Sequence, residues 1–122
     1  MKEVNVQMII PIFRIFDIEK ALEFYVDFLG FQVDWQHQFE EDMPLYLQVS
    51  LNEAVIHLSE HHGDATPGSA IRIKMENLIE YHALLAEKNY RYARPGIEDT
   101  AWGSQEVRVG DPFSNRITFY KN

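Results

Sequence analysis

Apolar positions along the chain change period several times, and each change predicts an element. Residues 8–16 (MIIPIFRIF) form a β-rich apolar run and predict a strand. Asp17 then stands where an N-cap belongs. After it Ile18, Ala21, Leu22, Tyr25, Phe28 and Leu29 recur at helical spacing, and Gly30 supplies the left-handed stop. Residues 31–39 alternate, with Val33, Trp35, His37 and Phe39 on one face and Gln32, Asp34, Gln36 and Gln38 on the other, which predicts a second strand. An acidic turn, Glu40 to Pro44, leads to an alternating strand over 45–51. Asn52-Glu53 reads as a tight hairpin, and 54–59 as its return strand.

The stretch 60–69 (EHHGDATPGS) is rich in Gly, Pro and small polar residues and reads as a linker. Beyond it the pattern recurs. Residues 70–75 predict a strand. Asn77 and Glu80 read as a capping-box variant before a helix carrying Leu78, Tyr81, Leu84, Leu85 and Lys88, and Asn89 takes the place of Gly30. Strands follow at 90–93, 105–109 and 116–120, with a loop over 94–104 and a turn over 110–115. The two N-caps, Asp17 and Asn77, are 60 residues apart, and the two stops, Gly30 and Asn89, are 59 apart. A period of half the chain predicts an internal repeat. The expected fold is α+β: two tandem βαβββ units, 6–59 and 70–121, joined by the linker 60–69 within one domain spanning 1–122. Their curved, partly open sheets surround a cavity and carry the helices on the outer side.

Charge sharpens this picture because it is uneven. Residues 1–61 hold three basic and eleven acidic side chains, whereas 62–122 hold eight of each, so the net −8 belongs to the first unit. Such a balance argues against nucleic acid, whose phosphates require a basic surface, and against an anionic membrane. No apolar window is long enough for a membrane span, and the acidic start (Met1, Lys2, Glu3) does not resemble a signal peptide, so a cytoplasmic location is expected. The absence of cysteine removes disulfides, thiolate metal sites and a Cys nucleophile. No Gly-x-Ser-x-Gly elbow or phosphate-binding glycine loop is present. His57, His61 and His62 with Glu60 and Asp64 have the residue types of a metal cluster. Adjacent His61 and His62 diverge on an extended chain, however, and the linker reads as a solvated loop. His57, Glu60 or Glu106 could serve as a base in an apolar cavity, and His82 reads as a surface residue of the second helix.

Two stretches carry a resemblance. One is Phe13-Arg14-Ile15-Phe16-Asp17 running into Ala21, Phe24-Tyr25 and Phe28-Leu29-Gly30-Phe31. The other is Trp102-Gly103, Glu106-Val107 and Asp111-Pro112-Phe113-Ser114-Asn115-Arg116. Together they resemble the vicinal oxygen chelate superfamily of glyoxalases, bleomycin-resistance proteins and dioxygenases. The ending is similar to the bleomycin-resistance subgroup in particular. Ser114 departs from the pattern, which has Gly before the Asn. In metal-using members the resemblance places His or Glu ligands on the first strand of each unit and on the last strand. Those positions fall here on Ile10, Ala70 and Thr118. Ile and Ala offer no donor and Thr only a weak one, so no metal or other cofactor is expected.

What the resemblance implies is recognition rather than chemistry. The expected protein sequesters a small molecule, a cationic glycopeptide antibiotic of the bleomycin type or another cationic or aromatic compound, in crevices shared by a homodimer. Expected ligand contacts are Trp102, Trp35, Phe39, Tyr46, His57 and Phe113, whose rings offer stacking and cation–π surfaces. No catalytic residue is assigned. Two alternatives stay open: a glyoxalase-like metal-dependent lyase or dioxygenase, and a non-catalytic metabolite-binding accessory protein.

Overall fold

The computed structural model describes residues 3–122; Met1 and Lys2, used above in the leader argument, lie outside the described residues. Ten elements follow in order. They are β1 (Ile12–Arg14), α1 (Ile18–Leu22, running on as a π-helical segment over Glu23–Phe28), β2 (Gln32–Gln38), β3 (Leu45–Leu51), β4 (Ala54–Ser59), β5 (Ala70–Lys74), α2 (Leu78–Glu87), β6 (Ile97–Asp99), β7 (Gln105–Gly110) and β8 (Arg116–Lys121). They form two four-stranded sheets with the same topology, β1-β4-β3-β2 and β5-β8-β7-β6. In each sheet the first strand lies parallel to the last, and the remaining pairs are antiparallel. This is the repeated α+β architecture read from the sequence.

Local physics explains the first helix. Asp17 is extended and its carboxylate accepts the Lys20 amide at 3.1 Å, capping the start. The chain then widens into a π turn that buries Phe24, Tyr25 and Phe28 together. Gly30 ends it at φ 89°, and Asn89 ends α2 at φ 49°. At the other N-cap the expectation fails: Asn77 occupies the position, but its side chain makes no capping bond. α2 is held instead by its contacts. Leu78 and Leu85 are buried, the Tyr81 hydroxyl donates to the Leu29 carbonyl at 2.6 Å, and Lys88 Nζ donates to the Asp27 and Phe28 carbonyls at 2.9 and 2.7 Å. A cation on the last carbonyls of a helix also suits its dipole.

One hydrophobic core serves both sheets. Phe13, Ile15, Leu47, Val49, Ile56 and Leu58 from the first sheet and Val107, Val109, Ile117 and Phe119 from the second turn toward the two helices. The opposite faces of both sheets are open.

Four expectations about strands are corrected. The first strand begins at Ile12, not residue 8; Met8 and Ile9 lie exposed ahead of it. Residues 90–93 form no strand, because Tyr90 stacks on Phe28 at 4.8 Å between ring centres and the chain turns there to allow it. The second strand of the second unit is β6, inside the segment expected to be a loop. Finally, a bulge at Asp34 shifts the β2 register between Val33 and Trp35. Val33 therefore pairs with buried Val49, while Trp35 and His37 pair with Gln48 and Tyr46 on the open face. The strict alternation across 31–39 is broken there.

The Asp-Pro-x-x-Asn ending is a structural clasp. Asp111 accepts the Phe113 and Asn115 amides at 2.8 Å each, Asn115 Nδ2 at 2.9 Å and the buried Tyr25 hydroxyl at 2.6 Å. Asn115 Nδ2 also donates to the Arg14 carbonyl at 2.8 Å, tying the last hairpin to β1. Ser114 adopts φ 74°, the left-handed conformation for which glycine is the unstrained residue, so the turn keeps its shape despite the substitution. Desolvation, reinforced by the Asp111 carboxylate, pushes the Tyr25 phenol well above its ordinary range.

Candidate functional site

The open face of the first sheet carries the residues with the most recognition chemistry. Alternation and the Asp34 bulge bring Ile12, Arg14, His57, Ser59, Tyr46, Gln48, Trp35 and Asp34 to this side. Trp35 and Tyr46 stack with ring centres 6.0 Å apart and planes 11° from parallel, and His57 stands edge-on to both at 5.2 and 5.1 Å. The result is a paved aromatic surface rather than three separate rings.

Hydrogen bonds give this surface a direction. The Asp34 carboxylate accepts Gln48 Nε2 at 3.0 Å, the Ser50 hydroxyl at 3.0 Å and Gln32 Nε2 at 3.1 Å. With its amide nitrogen on Asp34, Gln48 presents Oε1 to His57 Nε2 at 2.9 Å. Nε2 must then carry the proton and donate. That leaves Nδ1 as the acceptor of the Tyr46 hydroxyl at 2.6 Å. His57 is thus held neutral, and desolvation lowers its pKa from the ordinary value. Burial likewise raises the Tyr46 phenol, and the bonds from Gln48 and Ser50 lower Asp34. The face therefore combines a fixed negative charge, a neutral imidazole and two stacked rings.

Of the six residues expected to contact a ligand, the structure brings Trp35, Tyr46 and His57 together. Trp102 sits at the tip of the β6–β7 hairpin, 70% exposed, in a turn closed by Thr100 and Ser104. Phe39 lies just past β2 and is 75% exposed. Phe113 is buried in the clasp turn, with its ring 6.1 Å from Phe16. Sequence reading missed Gln48 and Asp34 as members of the site. The signal was their alternation with Leu47 and Val49, which places Gln48 opposite the core, whereas the bulge that turns Asp34 has no sequence mark.

The expected metal positions give no cage. Ile10 precedes β1, and Ala70 and Thr118 lie on β5 and β8. Among the described residues no group of three or more His, Asp or Glu side chains converges as a metal site. In the linker, His61 donates its amide to Ser59 Oγ and Ser59 donates to Asp64 at 2.7 Å, forming a turn. Glu60 accepts the Leu45 amide at 2.9 Å. His82 is half-buried and bonds the Pro95 carbonyl at 2.9 Å rather than standing free on the surface. None of the three positions carries an imidazole or carboxylate. Among the described residues no helix is long and apolar enough to cross a membrane.

A family model described as a glyoxalase superfamily protein matches residues 1–122. Among curated proteins none matches significantly. Solved structures with the same fold include a bleomycin-binding protein complexed with bleomycin (15% identity, 96% of this chain and 99% of that one, TM-score 0.71). A bleomycin resistance determinant encoded on the transposon Tn5 is also similar (14% identity, 96% and 98%, TM-score 0.74). So is a glyoxalase-related enzyme from Clostridium phytofermentans (16% identity, 100% and 99%, TM-score 0.74).

Proposed function

Since the chain belongs to the glyoxalase superfamily, we propose that it uses that fold to bind a flat, aromatic small molecule on the open face of its first sheet, without a metal. The observation that carries this reading is the stacked Trp35–Tyr46 pair with His57 locked edge-on beside it. Stacking on such rings adds about 0.5–1.5 kcal/mol per ring pair beyond the apolar area buried. Asp34 supplies a seat for a cationic group on the same ligand, and the neutral His57 adds no opposing charge. A bleomycin-type antibiotic has this chemistry, and the fold shared with a bleomycin-binding protein supports it as the first compound to try. Trp35 is 44% exposed, so a ligand stacked on it in one chain is covered on one side only. A second copy would supply the other wall.

The test is tryptophan fluorescence and calorimetry of the full chain titrated with bleomycin and with a panel of flat cationic heteroaromatics. Saturable quenching is expected, with W35A about tenfold weaker. If none of these compounds quenches saturably, or if W35A binds as tightly as wild type, the reading is wrong.

The Tyr46–His57 contact favours a second reading, a proton-transfer enzyme without metal. A neutral imidazole 2.6 Å from a phenol can accept its proton, although the raised phenol and the lowered imidazole make that transfer uphill until a bound substrate takes up the phenol's charge. Under this reading Y46F retains ligand binding and loses turnover, whereas under the binding reading there is no turnover to lose.

A further inference from the structure

The open face of the second sheet has the opposite character. Strand pairing sets Arg72 of β5, Thr118 of β8 and Arg108 of β7 side by side in one row, with Arg116 two residues along β8 on the same face. By strand spacing, the two outer residues of the row stand roughly 9–10 Å apart with the threonine between them. The row is the counterpart of Ile12, His57 and Gln48 in the first sheet, about 60 residues earlier in the chain. Where that row holds a neutral imidazole, this one holds a hydroxyl between two guanidiniums.

These guanidiniums are held in place. Glu106 is wholly inaccessible to solvent; its Oε2 accepts Arg72 Nη2 at 2.9 Å and its Oε1 accepts Arg108 Nη2 at 3.0 Å. One buried carboxylate thus fixes both arginines, one through each oxygen. The Arg72 guanidinium also lies over the Tyr120 ring at 4.4 Å, and Arg108 stands 4.0 Å from the Glu98 carboxylate. Yet the Arg72 and Arg108 side chains remain 50% and 56% exposed. Each guanidinium has five N–H donors and gives few of them to Glu106, so both half-exposed side chains keep donors for a ligand on this face. Around the row, Arg72, Arg108, Arg116 and Lys74 face Glu106 and Glu98, which leaves the face positive within a chain of net charge −8.

We propose that this face is a binding site for an oxyanion, the carboxylate or phosphate group of an organic ligand, seated over Thr118 between Arg72 and Arg108. The arginines lose little side-chain entropy on binding because Glu106 and Tyr120 already hold them. Its residues are distinct from those of the aromatic face of the first sheet.

The experiment is titration of the full chain with inorganic phosphate and, separately, with benzoate. It is followed by amide and arginine side-chain NMR at constant ionic strength, with sodium chloride as the control. Phosphate carries no ring, so its binding reads the cationic face alone. The expected result is saturable shifts centred on Arg72, Arg108 and Thr118 for at least one of the two anions; the tighter anion identifies the oxyanion. R108Q should bind about tenfold more weakly. T118V, which keeps every charge and the shape of the strand, should bind several-fold more weakly. Shifts that stay linear and match chloride would overturn the proposal, as would saturable binding that neither variant weakens.

Discussion

At residue scale, Asp34 sets the direction of a hydrogen-bond chain that ends at the Tyr46 phenol. Its carboxylate can only accept, so Gln48 must point its amide nitrogen at it, and His57 must donate from Nε2 to the oxygen left over. A protonated His57 would have to reverse the Tyr46 bond, because Nδ1 would no longer accept and would donate to the phenol oxygen instead. This agrees with a folded-state pKa lowered by desolvation. The sign for stability follows. The unfolded chain takes up the His57 proton at a higher pH than the folded chain. The contribution of His57 is therefore fully present above its ordinary value of 6.5 and is lost as pH falls through its lowered folded value. We expect the imidazole to titrate below 6.5 by NMR, and H57Q to lose less stability than wild type between neutral and mildly acidic pH. A titration midpoint above 6.5 would show that desolvation does not govern this imidazole. The same residues show what sequence reveals at this scale. Asp17, Gly30, Asn52 and Asn89 were readable because capping and left-handed turns are local. The face on which Trp35 emerges was readable only as alternation, and a single bulge at Asp34 changed which neighbours share it.

At the scale of elements, the motif that carried the family resemblance turns out to hold pieces together. Asp111 accepts four hydrogen bonds, one of them from Tyr25 on the first helix, and Asn115 reaches back to β1. Y25F leaves one buried lone pair without its donor and should cost about 1–3 kcal/mol. D111A strands several buried donors at once and should cost more, roughly 3–5 kcal/mol. Urea unfolding of both variants checks this; a loss below about 0.5 kcal/mol for D111A would show that the clasp is dispensable. Elements read from sequence fared best where their stabilising contacts are short-range. Helix α1, the β3–β4 hairpin and strands β7 and β8 lie where the apolar period placed them. Residues 90–93 did not form a strand because Tyr90 is claimed by Phe28 and Phe24, which are distant in sequence, and its aromatic neighbours mimic a strand pattern. Strand β6 escaped notice for the converse reason: Ile97, Glu98 and Asp99 are all exposed, so no alternation betrays it, and only pairing with β7 makes it a strand.

At the scale of the whole molecule, the charge asymmetry between the halves acquires a geometry. Asp17, Glu19, Glu23 and Asp27 lie on or beside the first helix, on the far side of the sheet from the aromatic face, so much of the acidic excess has no part in the proposed site. What reaches the open faces is a small acidic and aromatic patch on the first sheet and a cationic row on the second. Two copies related by a twofold axis can set the first face of each against the second face of the other. That arrangement makes two equal crevices, each with Trp35 and Tyr46 on one wall and Arg72 and Arg108 on the other, so that a ligand's cationic group belongs at Asp34 and an anionic group at the arginines. A self-complementary arrangement of this kind predicts a dimer held partly by charge. Sedimentation equilibrium should give twice the chain mass at low ionic strength, with dissociation favoured as salt rises toward 1 M, where screening shortens to about 3 Å. R116E, which reverses one charge on the cationic face outside the Glu106-held pair, should shift the equilibrium toward monomer at every salt concentration. A chain that stays monomeric at low salt would leave the aromatic face with one wall only. The ligand would then have to be bound in the open, at the affinity that one stacked surface can supply.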